Sequence, residues 1–202
     1  MTDSSIEPRP PRIAGEADLE TVTEIISRSF ADDPVWGPAY GSASGGGPRA
    51  IWRLEVEAAM RLGWTWLSAG DEAAAVWIPP GGSTFDHAET QAYLVFLAEL
   101  LGPTFDRVAA LHARFEAAAP AEPHYYLSLL GTHPDHRGQG HGMRLLRDNL
   151  ATIDEEGVAA YLESTNPAND ARYAAVGFER IGAFEGYVPG TVITTMWRPA
   201  RR

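Results

Sequence analysis

Between Thr132 and Met143 the chain reads T-H-P-D-H-R-G-Q-G-H-G-M, with glycines alternating at 138, 140 and 142. Glycine adopts positive φ without penalty and lets a ligand approach the backbone closely. A helical pattern begins at His141, and a helix start carries unpaired N–H groups and the positive end of the macrodipole. Arg137, Gly138, Gln139, Gly140, His141 and Gly142 therefore make a cradle for an anion such as a pyrophosphate. A Walker loop would need a lysine after its last glycine, and all 16 basic residues here are arginine. A dinucleotide fingerprint would need a third glycine one residue later and an acid about 20 positions on. Glu163 lies 21 residues past Gly142, so that reading stays open on the turn alone. His133, His136 and His141 crowd the same turn, but no H-E-x-x-H and no cysteine accompanies them. Loop histidines without such partners make no zinc site, and none is expected.

The elements that must hold this turn are readable around it. His124–Leu130 is a nearly continuous apolar run, hence a buried strand. Met143, Leu145, Leu146, Leu150 and Ile153 give a helix from His141 to about Glu155, stopped by Gly157. Strands follow at Val158–Glu163, Phe178–Phe184 and Val192–Trp197, with a short helix at Asn169–Ala175. In the first half, Arg12–Ala14 reads as a short strand, and Asp18 as the cap of a helix carrying Leu19, Val22, Ile25, Ile26 and Phe30. Residues 31–48 read as a loop, rich in Gly and Pro, that nevertheless holds Trp36 and Tyr40. A helix over Ala50–Leu62, strands at Trp64–Ala69 and Ala73–Ile78, and two helices within 86–117 parted by Gly102-Pro103 complete the pattern. The order implies an α/β arrangement in three layers: a flexible segment over 1–11, then one domain over 12–202.

Composition narrows the function classes. A net charge of −11 over 202 residues is the wrong sign for general nucleic-acid binding and suits a cationic small molecule. With no lysine and no cysteine, a Schiff base and a thiol nucleophile are excluded, and any general base is Glu, Asp, His or Tyr. The first fifteen residues hold no apolar stretch of a signal peptide, and no run is long enough for a membrane span. The reading is a cytoplasmic protein without membrane or nucleic-acid partners, monomeric or homodimeric.

Three separated segments together resemble the GNAT superfamily of N-acetyltransferases. Arg137-x-x-Gly140-x-Gly142, after a strand and Pro134, is similar to its R/Q-x-x-G-x-G/A signature. Leu162-Glu163 and then Asn169 followed by Tyr173-x-x-x-Gly177-Phe178 resemble its fifth-strand and C-terminal segments, in the same order over residues 124–185. Within the first half, Phe30-Ala31-Asp32-Asp33-Pro34, Ala75-Val76-Trp77 and Pro123-His124-Tyr125-Tyr126-Leu127 are similar to segments of the puromycin N-acetyltransferase subgroup. Arg137 departs from that subgroup's usual Gln, and Gly131-Thr132 from its usual Gly-Val.

The resemblance implies a GNAT fold: a mixed, mostly antiparallel sheet with a splayed central parallel strand pair and helices on both faces. It implies acetyl-CoA as co-substrate, its pantetheine paired to the backbone of Leu129, Leu130, Gly131 and Thr132 as an added strand. The pyrophosphate would lie on the 137–142 cradle, with Asn169 and Tyr173 beside the cofactor. Glu163 would be the base, directly or through water, and Tyr173 the acid for the departing thiolate. Asp32, Asp33, Trp36 and Tyr40, with Trp64, Trp66 and Trp77 from neighbouring strands, offer acids and aromatic faces for a small-molecule primary amine, an aminonucleoside or other amine antibiotic among them. A protein N-terminus or lysine as acceptor, and an inactive acetyl-CoA sensor, are the competing readings.

Overall fold

In the computed structural model residues 10–44 and 46–201 are described, so most of the segment expected to be flexible lies outside the described residues. The elements run β1 (Arg12–Ile13), α1 (Leu19–Phe30), α2 (Trp36–Tyr40), α3 (Gly47–Met60), β2 (Thr65–Leu67), β3 (Ala73–Ile78), α4 (His87–Leu101) and α5 (Phe105–Ala118). The second half continues β4 (His124–Thr132), α6 (His141–Glu156), β5 (Ala159–Ser164), α7 (Asp170–Ala174), β6 (Glu179–Glu185) and β7 (Val192–Arg198). Among the described residues, seven strands form one sheet in the order β1-β2-β3-β4-β5-β7-β6. Every pairing is antiparallel except β4 with β5.

The parallel pair is short. Only His124–Tyr126 and Ala159–Tyr161 are in register, after which β4 stays with β3 as far as Thr132 and β5 stays with β7 as far as Ser164. The two strands therefore diverge beyond Tyr126 and Tyr161, and the backbone edges of Leu127–Thr132 and Leu162–Ser164 face a gap. β4 also carries a bulge: Val76 pairs with Leu129 and Trp77 with Leu127, leaving Ser128 as the extra residue. An extra residue inverts the alternation of faces. Tyr125 and Leu127 accordingly pack on the α6 side, and Leu129 on the side of α1–α5.

The sheet is covered on both faces. Ile25, Ile26, Ile51, Trp52, Val56, Leu97 and Leu111 from the first-half helices pack with Leu67, Ala74, Val76 and Leu129. Leu145, Leu146, Leu150 and Ile153 of α6 pack with Ala75, Trp77, Tyr125, Leu162 and Met196 on the other face. Each large aliphatic side chain sealed into these clusters contributes roughly 1.5–3 kcal/mol.

Two local expectations differ. The stretch 31–48 contains α2, because Asp33 Oδ1 accepts from the N–H groups of Val35 and Trp36, both at 2.9 Å, and starts a helix that Trp36, Ala39 and Tyr40 bury. Asp18 does not cap α1 with its side chain. A 3-10 turn over Glu16–Asp18 comes first, and the carboxylate accepts from Gly15 N–H and from Arg12.

Candidate functional site

A cavity of about 1100 Å³ opens in the fork between β4 and β5 and runs under α1, α3, α4 and α5. Its wall at one end is the glycine turn. Gly138 and Gly140 sit at φ of 81° and 78°, and a Cβ built on either would meet nothing within 4 Å. Glycine is demanded there by backbone conformation rather than by packing. Gly142 differs, since its Cβ would lie 2.6 Å from Thr132 Oγ1, so this glycine lets α6 close on β4. The same holds at Gly131, whose Cβ would lie 2.2 Å from Ser29 Oγ on α1.

Among the described residues, none of the backbone N–H groups from Gly138 to Met143 donates a hydrogen bond within the protein. Six unpaired donors at the start of a sixteen-residue helix fit an anionic group such as a pyrophosphate. Arg137 leans away from them: its guanidinium donates to Ser29 O at 3.0 Å and lies 3.6 Å from Asp32. Arg144 donates to Gln139 O at 3.2 Å and braces the turn from behind. His141 stands 3.6 Å from Glu72, whose carboxyl is held below its ordinary value by Ser68 and backbone N–H donors despite partial burial. Among the described residues no three His, Asp or Glu side chains converge as metal ligands.

The fork brings Glu163 and Tyr173 to one cavity. Glu163 projects from β5 on the same face as Tyr161, two residues before it. Burial pushes its carboxyl up to about 7, against the opposing pull of the Tyr161 and Tyr126 hydroxyls. A group balanced near neutrality takes and returns protons at working pH. Tyr173 comes from α7, where its ring packs with Phe178 at 6.2 Å. Burial first, then the charges of Asp33 and Asp170, raise its hydroxyl to about 12, so it stands as a proton donor. Its hydroxyl has no hydrogen-bond partner among the described residues and is left for a group in the cavity. Asn169 also lines the space, with Oδ1 accepting from Arg172 at 3.0 Å.

The other expected positions fall in different places. Leu129, Leu130 and Thr132 line the cavity along with Arg137, Gly138, Gly140, His141 and Gly142, while Gly131 and Gln139 do not reach it. Asp32, Asp33 and Trp36 line it as well. Asp32 is 84% exposed, its carboxylate 3.6 Å from Arg137. Asp33 has both oxygens engaged, Oδ1 at the start of α2 and Oδ2 with Thr165 Oγ1 at 2.7 Å. Tyr40 lies behind the wall, 1% exposed. Trp64 is on the opposite face of the sheet with Trp66, Trp77 and Tyr125, so the structure does not bring these three tryptophans to the cavity.

Three lining residues carry no sequence expectation: Glu55 of α3, Tyr93 of α4 and His112 of α5. The Tyr40 hydroxyl donates to Glu55 Oε1 at 3.1 Å and lies 3.1 Å from His112 Nε2, and the Tyr93 hydroxyl donates to the same Glu55 oxygen. A signal for them existed. Glu55 falls between Trp52, Val56 and Ala59 on the apolar stripe of α3, and His112 between Val108, Leu111 and Phe115 on that of α5. An acid and an imidazole on inward faces mark a polar site within a helical layer.

The model of the acetyltransferase (GNAT) family matches residues 63–178, from β2 through Phe178. The chain belongs to this family. The match spans the fork, the glycine turn, Glu163 and Tyr173, and members of the family generally draw their acetyl group from acetyl-CoA. Solved GNAT structures share the fold across nearly the whole chain. A structure described as histone acetyltransferase HPA2 and related acetyltransferase from Corynebacterium glutamicum is 22% identical, covering 97% of this chain and 98% of its own, with a TM-score of 0.67. Arylalkylamine N-acetyltransferase 2 from Aedes aegypti is 12% identical over 94% of this chain and 97% of its own, with a TM-score of 0.71. A Drosophila melanogaster polyamine N-acetyltransferase, described as forming N-acetylagmatine, is 14% identical over 94% and 98%, with a TM-score of 0.64.

Proposed function

We propose that residues 12–202 form one acetyltransferase domain that moves the acetyl group of acetyl-CoA directly to a primary amine of a small molecule held in the same cavity. The observation that carries this reading is that Glu163, near neutrality, and Tyr173, protonated, line one cavity at the fork. The thioester supplies an activated acyl carbon. The free backbone edge of Leu129–Thr132 holds the pantetheine arm as an added strand would, and the N–H groups from Gly138 to Met143 hold the diphosphate. Alkylamines are mostly protonated at pH 7, so the acceptor first gives up one proton to solvent to free its lone pair, and Glu163 accepts the second as the C–N bond forms. Tyr173 donates a proton to sulfur as the C–S bond breaks, and the thiol departs neutral. Backbone N–H groups beside the Ser128 bulge stabilise charge on the carbonyl oxygen.

A small acceptor is favoured because the cavity runs beneath α3–α5. The solved GNAT enzymes described as acting on arylalkylamines and polyamines support that class. An aminonucleoside or other ring-bearing amine antibiotic falls within it, since Trp36 and Phe115 stack at 5.3 Å in the lining. No helix of the described residues is long and apolar enough to cross a membrane, and we place the enzyme in the cytoplasm, as a monomer or homodimer. Thiol release from acetyl-CoA over a panel of alkylamines, arylalkylamines, aminonucleosides and peptides tests the reading. Release with small amines is expected. Release with peptides alone overturns the acceptor class, and release with none leaves the chain an acetyl-CoA-binding sensor.

A further inference from the structure

One wall of the cavity, formed by α3, holds a carboxylate whose bonding is incomplete. Glu55 Oε1 accepts from both Tyr40 and Tyr93, whereas Oε2 has no donor, and the residue no ion-pair partner, among the described residues. Every titratable group packed against it is uncharged or cannot neutralise it. Tyr40 from α2 and Tyr93 from α4 are pushed well above their ordinary values, by burial and then by the charge of Glu55. His112 from α5 is driven down to about 4 by burial, so its ring is neutral. Burial also pushes Glu55 itself up to about 7. Glu55 is half-buried at the cavity wall, so a cation entering beside its free oxygen would pair with a partly desolvated charge.

The surroundings fit an alkylammonium. Trp36 lies with its ring centroid 5.4 Å from His112 and 5.3 Å from Phe115, while Phe85 stacks on Tyr93 at 4.7 Å. Aromatic faces around a carboxylate suit a cation on an apolar stem. This place is set apart from the transfer site. Along α5, His112 sits at the Glu55 cluster while the carbonyl of Ala118 accepts from Tyr161, beside Glu163. Six residues of helix separate the two, a rise of about 9 Å.

We propose that Glu55 is a subsite for the second cationic group of a diamine acceptor, an ammonium or guanidinium at one end of an alkyl chain whose other end is acetylated at Glu163. The assignment rests on the amine-acceptor reading above, and it makes the enzyme prefer α,ω-diamines and aminoalkylguanidines over monoamines of equal length.

The test compares putrescine, agmatine and butylamine on the full chain, with and without acetyl-CoA, at physiological salt so that attraction to the acidic surface is screened. Without cofactor, putrescine or agmatine should raise the melting temperature more than butylamine. Glu55→Gln should erase that difference, and Tyr93→Phe, which keeps the charge, should preserve it. In turnover, the putrescine-to-butylamine ratio of kcat/KM should fall by roughly 30-fold in Glu55→Gln, carried by KM, as expected for one charge-assisted contact. Equal stabilisation of the wild-type chain by all three amines overturns the proposal, as does a ratio unchanged in Glu55→Gln. A guanidinium preference with no gain for putrescine narrows the cation and supports the site. If no amine is acetylated while putrescine still binds through Glu55, the transferase reading falls and the subsite stands.

Discussion

Thr165 donates its hydroxyl to Asp33 Oδ2 at 2.7 Å, joining two residues 132 positions apart across the mouth of the cavity. The bond ties the loop after β5, which leads to Tyr173, to the turn that launches α2. Asp33 thus fixes two walls at once, with its other oxygen at the start of α2. Asp33→Ala should lower stability by about 2 kcal/mol through loss of a cap and a buried partner. Thr165→Val should lower it by about 1 kcal/mol. Urea unfolding measures both, and an Asp33→Ala protein as stable as wild type would refute the linkage.

Glu163→Gln should reduce kcat/KM by roughly 100-fold, within the range for a positioned general base. Because the proposed base is the carboxylate and its carboxyl sits near 7, wild-type activity should rise with pH through about 7. In the Gln protein that inflection should vanish from the pH profile of kcat/KM. An inflection that persists there belongs to another group.

Tyr173→Phe should slow turnover by roughly 10- to 100-fold while leaving the affinity for acetyl-CoA within about threefold. The hydroxyl makes no hydrogen bond among the described residues, so its removal leaves the ring's packing on Phe178 intact. Single-turnover kinetics beside calorimetric binding separate the two effects. Turnover close to wild type would remove Tyr173 from the chemistry.

Buried acids also set a pH dependence of stability. Glu55 and Glu163 titrate higher in the folded chain than their ordinary 4.5, at about 7 each, with burial the leading cause. The folded state then binds more protons than the unfolded one between these values, so their contribution is fully present below about 4.5 and is lost as pH rises through 7. Glu55→Gln, which keeps the shape without the charge, should therefore be more stable than wild type at pH 8, by about 1–3 kcal/mol, and show little difference at pH 4. Thermal melts at the two values decide it.

Arg198 provides the opposite case. It is 2% exposed, donates to both oxygens of Asp154 at 2.6 and 2.7 Å, and donates through Nε to Val176 O. The guanidinium holds Asp154 below its ordinary value, so this contribution is present above that value and lost as pH falls through the lowered one. Asp154→Ala should cost about 3–5 kcal/mol, since it strands a buried cation. Guanidinium unfolding at neutral pH is the measurement, and a loss below 1 kcal/mol would show that water reaches Arg198.

How much of this was legible beforehand follows from where each residue's signal lies. The second half is written in strong local terms: the run HYYLSLL, the glycines at 138, 140 and 142, and Gly157 each fix a conformation without reference to distant chain. Glu163 and Tyr173 could be placed at the cavity in advance because they follow fixed segments of the GNAT pattern. The splay itself was implied only by that resemblance, since the divergence of β4 and β5 depends on the pairings of both with other strands. The first half behaved differently. Glycine and proline in 31–48 outweighed the Asp33 cap, and α2 read as loop. Trp64 was assigned to the acceptor wall by residue type, but in a strand the face is set by parity: Trp64 and Trp66 share one side, Thr65 and Leu67 the other. Glu55, Tyr93 and His112 come together only when three helices pack, a relationship that no single window contains.

The two ends of the cavity are made by separate stretches of chain: the glycine turn and fork by residues 124–173, the far wall by helices α3, α4 and α5. One consequence is modularity of inheritance. On the function proposed above, replacements within 47–118 should retune which amine is received while the donor cradle is copied unaltered, and a chimera exchanging the α4–α5 hairpin should change clientele without relearning the transfer.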